Sequence, residues 1–187
     1  MKRRKTGNLR KGRVSIPGAR YFVTLNVHQR KPVVCTKSVM ADAKEFLKMA
    51  QERDIARSLG LILMPDHVHW LFRLGASTSV EQTIRMMKYH FGSRLRATGN
   101  KWQSNFFDHR LRESEDADAY GRYIFLNPYR AGLIERIEVW PYWVRNQEFQ
   151  FQFEAAFEEG KYPPQAWLDE SSEHPMEVWK KENDFPL

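Results

Sequence analysis

Two apolar, β-rich runs stand on either side of a two-residue break: residues 60–64 (GLILM) and 67–74 (HVHWLFRL), separated by Pro65 and Asp66. Proline lacks a backbone donor and aspartate favours turn geometry, so the break is a turn or corner and not the middle of a flat strand. The pair reads as a hairpin or as one strand with a sharp corner. Side chains alternate faces along a strand. His67 and His69 therefore leave the same face, close enough together to hold one ion. Val68 points to the opposite face as a core anchor. Asp66 either partners one imidazole or simply serves the corner, and the corner is the reading preferred.

The flanking sequence extends this into an alternating pattern. Pro17 and Gly18 mark a turn, and residues 19–27 (ARYFVTLNV) are rich in aromatic and β-branched residues, as in a strand. Residues 39–59 predict a helix with Phe46, Met49, Ala50 and Ile55 on one face. Residues 79–97 predict a second amphipathic helix. Its stripe of Ile84, Met87, Phe91 and Leu95 reads as core, and Arg85, Lys88, Arg94 and Arg96 form a basic surface. Gly99 and Asn100 end it. Residues 106–112 (FFDHRLR) predict a strand. Ser114 is a candidate N-cap, with Glu115 and Asp116 as first-turn acids. A third helix then runs through Tyr120, Tyr123 and Ile124 to about Asn127, because Pro128 disfavours helical geometry in the residue before it. The order strand, helix, strand, strand, helix, strand, helix implies an α+β fold. It is a ferredoxin-like split βαβ arrangement with an antiparallel sheet, helices mainly on one face, an added helix and a C-terminal extension.

A chain of 187 residues suits one domain with extensions. Residues 1–13 read as a basic flexible arm and 14–137 as the domain. Residues 138–187 form an aromatic-rich, then acidic extension that packs back on it. Cys35 is the single cysteine, which excludes an internal disulfide, fits a reducing compartment and reads as a half-buried core residue. No apolar run reaches the ~18 residues of a membrane span, and the basic N-terminus lacks an apolar signal core. A cytoplasmic location is expected. The net charge is +7, and Lys2, Arg3, Arg4, Lys5, Arg10, Lys11 and Arg13 fall within the first thirteen residues without an acid. That arm is either a solubilising tail or a site for a polyanion.

Tyr123 and Asn127 are four residues apart on the third helix and share a face. A phenolic hydroxyl can attack phosphorus, and an amide oxygen is a hard ligand for a divalent cation. With the histidine pair they form a set suited to phosphodiester chemistry. A cation on a non-bridging oxygen offsets developing charge, and a tyrosyl ester stores bond energy for rejoining. Each residue also has a plainer reading: imidazoles in a sheet, a tyrosine with its ring in the core, an asparagine before proline.

The combination resembles a known family. MPDHVHWLF (residues 64–72) resembles the histidine–hydrophobic–histidine HUH motif of single-tyrosine transposases. YIFLNPYRAGLIE (123–135) is similar to their tyrosine-helix stretch. RKGRVSIPGARYFVTLNVHQRKPV (10–33) resembles their first strand, and WQSNFFDHRLR (102–112) their aromatic-x-His-x-x-Arg segment. The nearest subgroup is the REP-associated tyrosine transposases. The resemblance implies a metal-dependent enzyme with Tyr123 as nucleophile and His67, His69 and Asn127 as ligands of Mg²⁺ or Mn²⁺. It implies cleavage and rejoining of single-stranded DNA near hairpin or palindromic repeats through a 5′-phosphotyrosine, in transposition or repeat mobilisation. The location would be the bacterial cytoplasm, with the nucleoid, and the protein a monomer or homodimer. Tyr120 and Tyr129 are rival tyrosines. Candidate phosphate contacts are Arg3, Arg4, Arg10, Lys11 and Arg13 on the arm, and Arg85, Lys88, Arg94 and Arg96 on the second helix. Trp102, Trp140 and Trp143 are either base-stacking platforms or core. The competing readings are a non-catalytic nucleic-acid-binding module of the same fold and a metal-free phosphoesterase using the histidines as acid and base.

Overall fold

The computed structural model describes residues 14–170 and 173–182. Five antiparallel strands form one sheet in the order β4-β1-β3-β2-β5. They are β1 (Arg20–Asn26), β2 (Ala56–Met64), β3 (His67–Leu74), β4 (Phe107–Arg110) and β5 (Trp143–Arg145). β2 and β3 form a tight hairpin with Met64 paired to His67, so the break at Pro65–Asp66 is a turn. β3 inserts between β1 and β2, which is the split βαβ arrangement.

The period-2 alternation of the strands divides the interior in two. Tyr21, Val23, Leu25, Leu61, Leu63, Val68, Trp70 and Phe72 face one side and pack against α1 (Lys37–Glu52) and α2 (Val80–Ala97). Phe22, Ile62, Met64 and Leu71 face the other side, where α3 (Ala117–Arg130) covers them with Tyr120, Ile124 and Leu126. The two long helices thus share one face, and the added helix takes the opposite one. α2 starts at a capping box: Ser79 Oγ accepts from Gln82 N, and Gln82 Oε1 accepts from Ser79 N.

Three boundaries differ from the sequence expectation. The first helix ends at Glu52, and residues 56–59 belong to β2, which carries a register shift between Ser58 and Gly60. Asp54 takes a positive φ of 50° at the reversal and Gly75 N donates to Ile55 O, so sheet pairing captures this stretch. The third helix is capped by Asp116, whose carboxylate accepts from Asp118 N, and not by Ser114. That helix also runs past Pro128 to Arg130. Burial of Pro128 and Tyr129, and the bond from Tyr129 Oη to Glu138 O at 2.8 Å, sustain the extra turn. Gly132, at φ 64°, then ends it.

The chain after α3 returns to the sheet. β5 pairs with the outer edge of β2. A 3₁₀ turn at Gln152–Ala156 brings Phe151 and Phe153 onto α3, where Asp118 accepts from Gln152 N and Phe153 N. Two short helices, α4 (Gln165–Asp169) and α5 (Pro175–Glu182), follow along α3.

Candidate active site

His67 and His69 lie on β3 on the face that α3 covers, because they share the alternation of Leu71. Val68 between them is fully buried on the other side. The Nε2 atoms of the two rings stand 3.1 Å apart. Each ring's other nitrogen has its own partner. His67 Nδ1 meets Asp66 Oδ1 at 2.6 Å, and His69 Nδ1 meets Thr24 Oγ1, on β1, at 2.9 Å. The preference for Asp66 as a corner residue alone is therefore corrected: the turn that places it also brings its carboxylate onto the imidazole. Arg30 pairs with the same carboxylate. Outer partners of this kind orient an imidazole and leave Nε2 as the outward-facing atom.

Burial favours the neutral form of both imidazoles. It lowers the His67 pKa although the Asp66 hydrogen bond and charge oppose it. It lowers that of His69 well below the ordinary histidine value, reinforced by the charges of His67, His174 and Arg30. Neutral imidazoles are the ligand form.

α3 brings Tyr123 over this pair, with its ring 6.1 Å from that of His69 and against Phe22 at 6.3 Å. Burial raises its pKa, and the Arg130 charge works against that rise. Asn127, one turn on, borders the same cleft of about 580 Å³. Its Nδ2 donates to Tyr123 O at 2.8 Å, so the amide is oriented by its own helix. The four residues singled out in the sequence therefore converge on one cleft. The rival tyrosines do not: Tyr120 is buried with its hydroxyl on Glu115, and Tyr129 bonds the chain at Glu138.

The other candidates lie elsewhere. Arg3, Arg4, Arg10, Lys11 and Arg13 are outside the described residues. Arg85, Lys88, Arg94 and Arg96 are on α2, beyond the sheet from the histidines. Among them Lys88 Nζ donates to Gln103 O at 2.7 Å, and Arg94 pairs with Asp42. Trp140 is buried with Nε1 bonded to Leu63 O, while Trp102 and Trp143 are half-buried against Phe91 and Phe125. All three tryptophans serve the interior. Cys35 is half-buried, its thiol on Leu63 O at 3.3 Å.

Two site features escaped the sequence reading. His174, just before α5, packs its ring 4.9 Å from Tyr123. Only the fold brings this lone histidine of an acidic tail to the cleft. Glu115, expected as a first-turn acid, is instead a buried hub. It accepts from Tyr120 Oη and His109 Nε2 at 2.7 Å each and from Arg112 N at 2.8 Å. Burial works against its ionisation, but the bonds from Tyr120, Arg112 N and His109 together lower its pKa. The hub ties β4 to α3 and so fixes the helix that carries Tyr123.

Among the described residues no helix is long and apolar enough to cross a membrane. Known proteins resemble this chain in sequence, in fold and by family. A REP-associated tyrosine transposase of Escherichia coli (strain K12) is 26% identical over 133 residues, covering 70% of this chain and 78% of that protein. A solved structure of a REP-associated tyrosine transposase bound to a REP hairpin superposes with a TM-score of 0.58 at 23% identity. It covers 85% of this chain and 88% of its own, and it shows the same fold. The family described as "Transposase IS200 like" matches residues 15–124, a stretch that contains His67, His69 and Tyr123 and stops short of Asn127. That match spans more than half of the sequence, and the chain belongs to the IS200-like transposase family.

Proposed function

We propose that this transposase cuts and rejoins single-stranded DNA beside hairpin repeats, with Tyr123 as nucleophile and a divalent cation held by His67, His69 and Asn127. One observation carries the reading: two outward Nε2 atoms 3.1 Å apart, with the Tyr123 ring 6.1 Å from the inner imidazole. Two donors each ~2.1 Å from one ion, at right angles, are about 3 Å apart, so the pair fits a six-coordinate Mg²⁺ or Mn²⁺. Asn127 Nδ2 donates a hydrogen bond to Tyr123 O, and the amide oxygen would serve as the third ligand atom. A bound cation would offset the charge developing on the scissile phosphate.

The chain's own groups do the rest. Tyr123 Oη attacks phosphorus, the phosphorus–O3′ bond breaks, and the DNA 5′ end becomes esterified to the tyrosine. The phenolic proton leaves to solvent or a nearby base, and the departing 3′ oxygen gains one. Attack by another 3′-hydroxyl on the ester reverses the step and rejoins the strand without ATP. Asp66 and Thr24 hold the imidazoles in orientation, and Phe22 and the apolar sheet face hold the tyrosine ring. The likeness to a structure bound to a REP hairpin supports hairpin DNA as the substrate class.

The test is a denaturing-gel assay for covalent protein–DNA adduct, using hairpin-bearing single strands and Mn²⁺. Wild type should form adduct, EDTA should abolish it, and Tyr123→Phe should bind DNA without forming it. Binding with no adduct in wild type would instead support a non-catalytic module. Activity that survives EDTA would support the metal-free phosphoesterase.

A further inference from the structure

Tyr123 stands on the border between two depressions, and only one of them holds the histidine pair. The second, a cleft of about 520 Å³ along α3, is lined on the helix side by Arg122, Leu126 and Arg130. Helical geometry explains the division. At about 100° per residue, Asn127 is turned about 40° to one side of Tyr123, and Arg130, two turns on, about 20° to the other. Asn127 accordingly borders the histidine cleft, Arg130 borders the second cleft, and Tyr123 borders both. Long side chains lean towards the N-terminus of their helix, which directs the Arg130 stem towards the phenol. The Arg130 charge does act on Tyr123.

The two arginines of this cleft are held differently. Arg122 pairs with Glu170 Oε2 at 3.2 Å and lies over the Trp167 ring at 5.3 Å. Arg130 donates only from Nη2, to Trp167 O at 3.1 Å, and its buried Nε has no hydrogen-bond partner among the described residues. Among those residues it also has no carboxylate ion pair. Burial and the Arg122 charge both work against its ionised form, yet a guanidinium stays protonated. A half-buried cation short of acceptors is costly to the fold. Placed in a cleft beside a nucleophile, it marks a functional group.

We propose that Arg130 is a further catalytic residue, whose guanidinium binds a non-bridging oxygen of the scissile phosphate from the side of Tyr123 opposite the histidine pair. The inference rests on the proposed function for its reaction. As Tyr123 Oη bonds to phosphorus and the phosphorus–O3′ bond breaks, charge is spread over the non-bridging oxygens. The histidine side offsets it from one flank, and Arg130 donates to it from the other without giving up a proton. A phosphate oxygen supplies the acceptor that the protein withholds from this guanidinium, and a charge-assisted bond of this kind is strong in a site screened from water.

The test measures single-turnover adduct formation by the full chain with a hairpin-bearing single strand and Mn²⁺, and DNA affinity by fluorescence anisotropy. Arg130→Ala should slow adduct formation by about 100-fold, while affinity stays within about threefold of wild type. Arg130→Lys, which keeps the charge and loses the planar fork, should lose about tenfold. The same strand is then made with a methylphosphonate at the scissile position, which replaces one charged oxygen by a methyl group. With that charge gone, the loss caused by Arg130→Ala should shrink to within about fivefold. Each substrate comparison is made within one variant, so any loss of folded protein cancels. Equal losses on both substrates would show that Arg130 only braces the C-terminal chain at Trp167 and would overturn the proposal, as would an unchanged rate. Wild type that forms no adduct would sink the proposed reaction and this role with it. Wild-type adduct with unaffected Arg130 variants would sink this role alone.

Discussion

The hydroxyl of Tyr120 donates to Glu115 Oε1 at 2.7 Å inside the protein, three residues before Tyr123 on the same helix. One tyrosine of α3 is thereby committed to structure, while the other borders the histidine cleft.

The Glu115 side chain is 1% exposed and accepts from four donors, Tyr120 Oη, His109 Nε2, Arg112 N and Arg112 Nη1. Glu115→Ala leaves them without an acceptor and should destabilise the fold by about 2–4 kcal/mol, measured by urea denaturation. The folded-state pKa is depressed, so this carboxylate's stabilisation is complete above its unfolded pKa and is lost as pH falls through the folded value. Wild type should therefore lose stability with acidification below about pH 4.5, more steeply than Glu115→Gln.

Gly121 sits where α3 meets the returning C-terminal chain. A Cβ there would lie 2.2 Å from Phe151 Cε1, a ring atom of a buried side chain. Gly121→Ala gains about 1 kcal/mol of helix propensity, yet the overlap must displace Phe151. The net effect should be a destabilisation of about 1–3 kcal/mol, visible as a lower melting temperature.

Burial, with a smaller contribution from the Asp66 charge, pushes the Cys35 thiol pKa up to about 12. Only the thiolate reacts with alkylating reagents or disulfide probes. Native protein at pH 8 should react with a chromogenic disulfide at least about 100-fold more slowly than denatured protein, followed by absorbance.

If the imidazole pair holds a cation, Mn²⁺ should stabilise the folded state. At 100 times its dissociation constant the gain is about 2.7 kcal/mol. His69→Ala and His67→Ala should each remove the Mn²⁺-dependent rise in melting temperature, read by differential scanning fluorimetry.

Much of this was legible because the signals were local. Alternation in HVHWLFRL was enough to put His67 and His69 on one face and Val68 in the core. The i, i+4 spacing of Tyr123 and Asn127 was equally readable. What stayed hidden depends on distant partners. The positive φ at Asp54 leaves no mark in composition, so helix and strand ran together across residues 53–59. β5 is too short to show a period. Glu115 looks like a helix-start acid until His109 and Tyr120 close around it. Arg20 and Arg73 are far apart in sequence and come opposite one another only through strand register.

The central claim is tested most directly by mapping the adduct. Protein reacted with a hairpin-bearing strand and Mn²⁺ is digested with nuclease and trypsin, and the peptide starting at Tyr123 (YIFLNPYR) is fragmented by mass spectrometry. The account predicts a residual nucleotide phosphate on Tyr123. A modification on Tyr129 of that peptide or on Tyr120, or the absence of any modified tyrosine while cleavage proceeds, would contradict it.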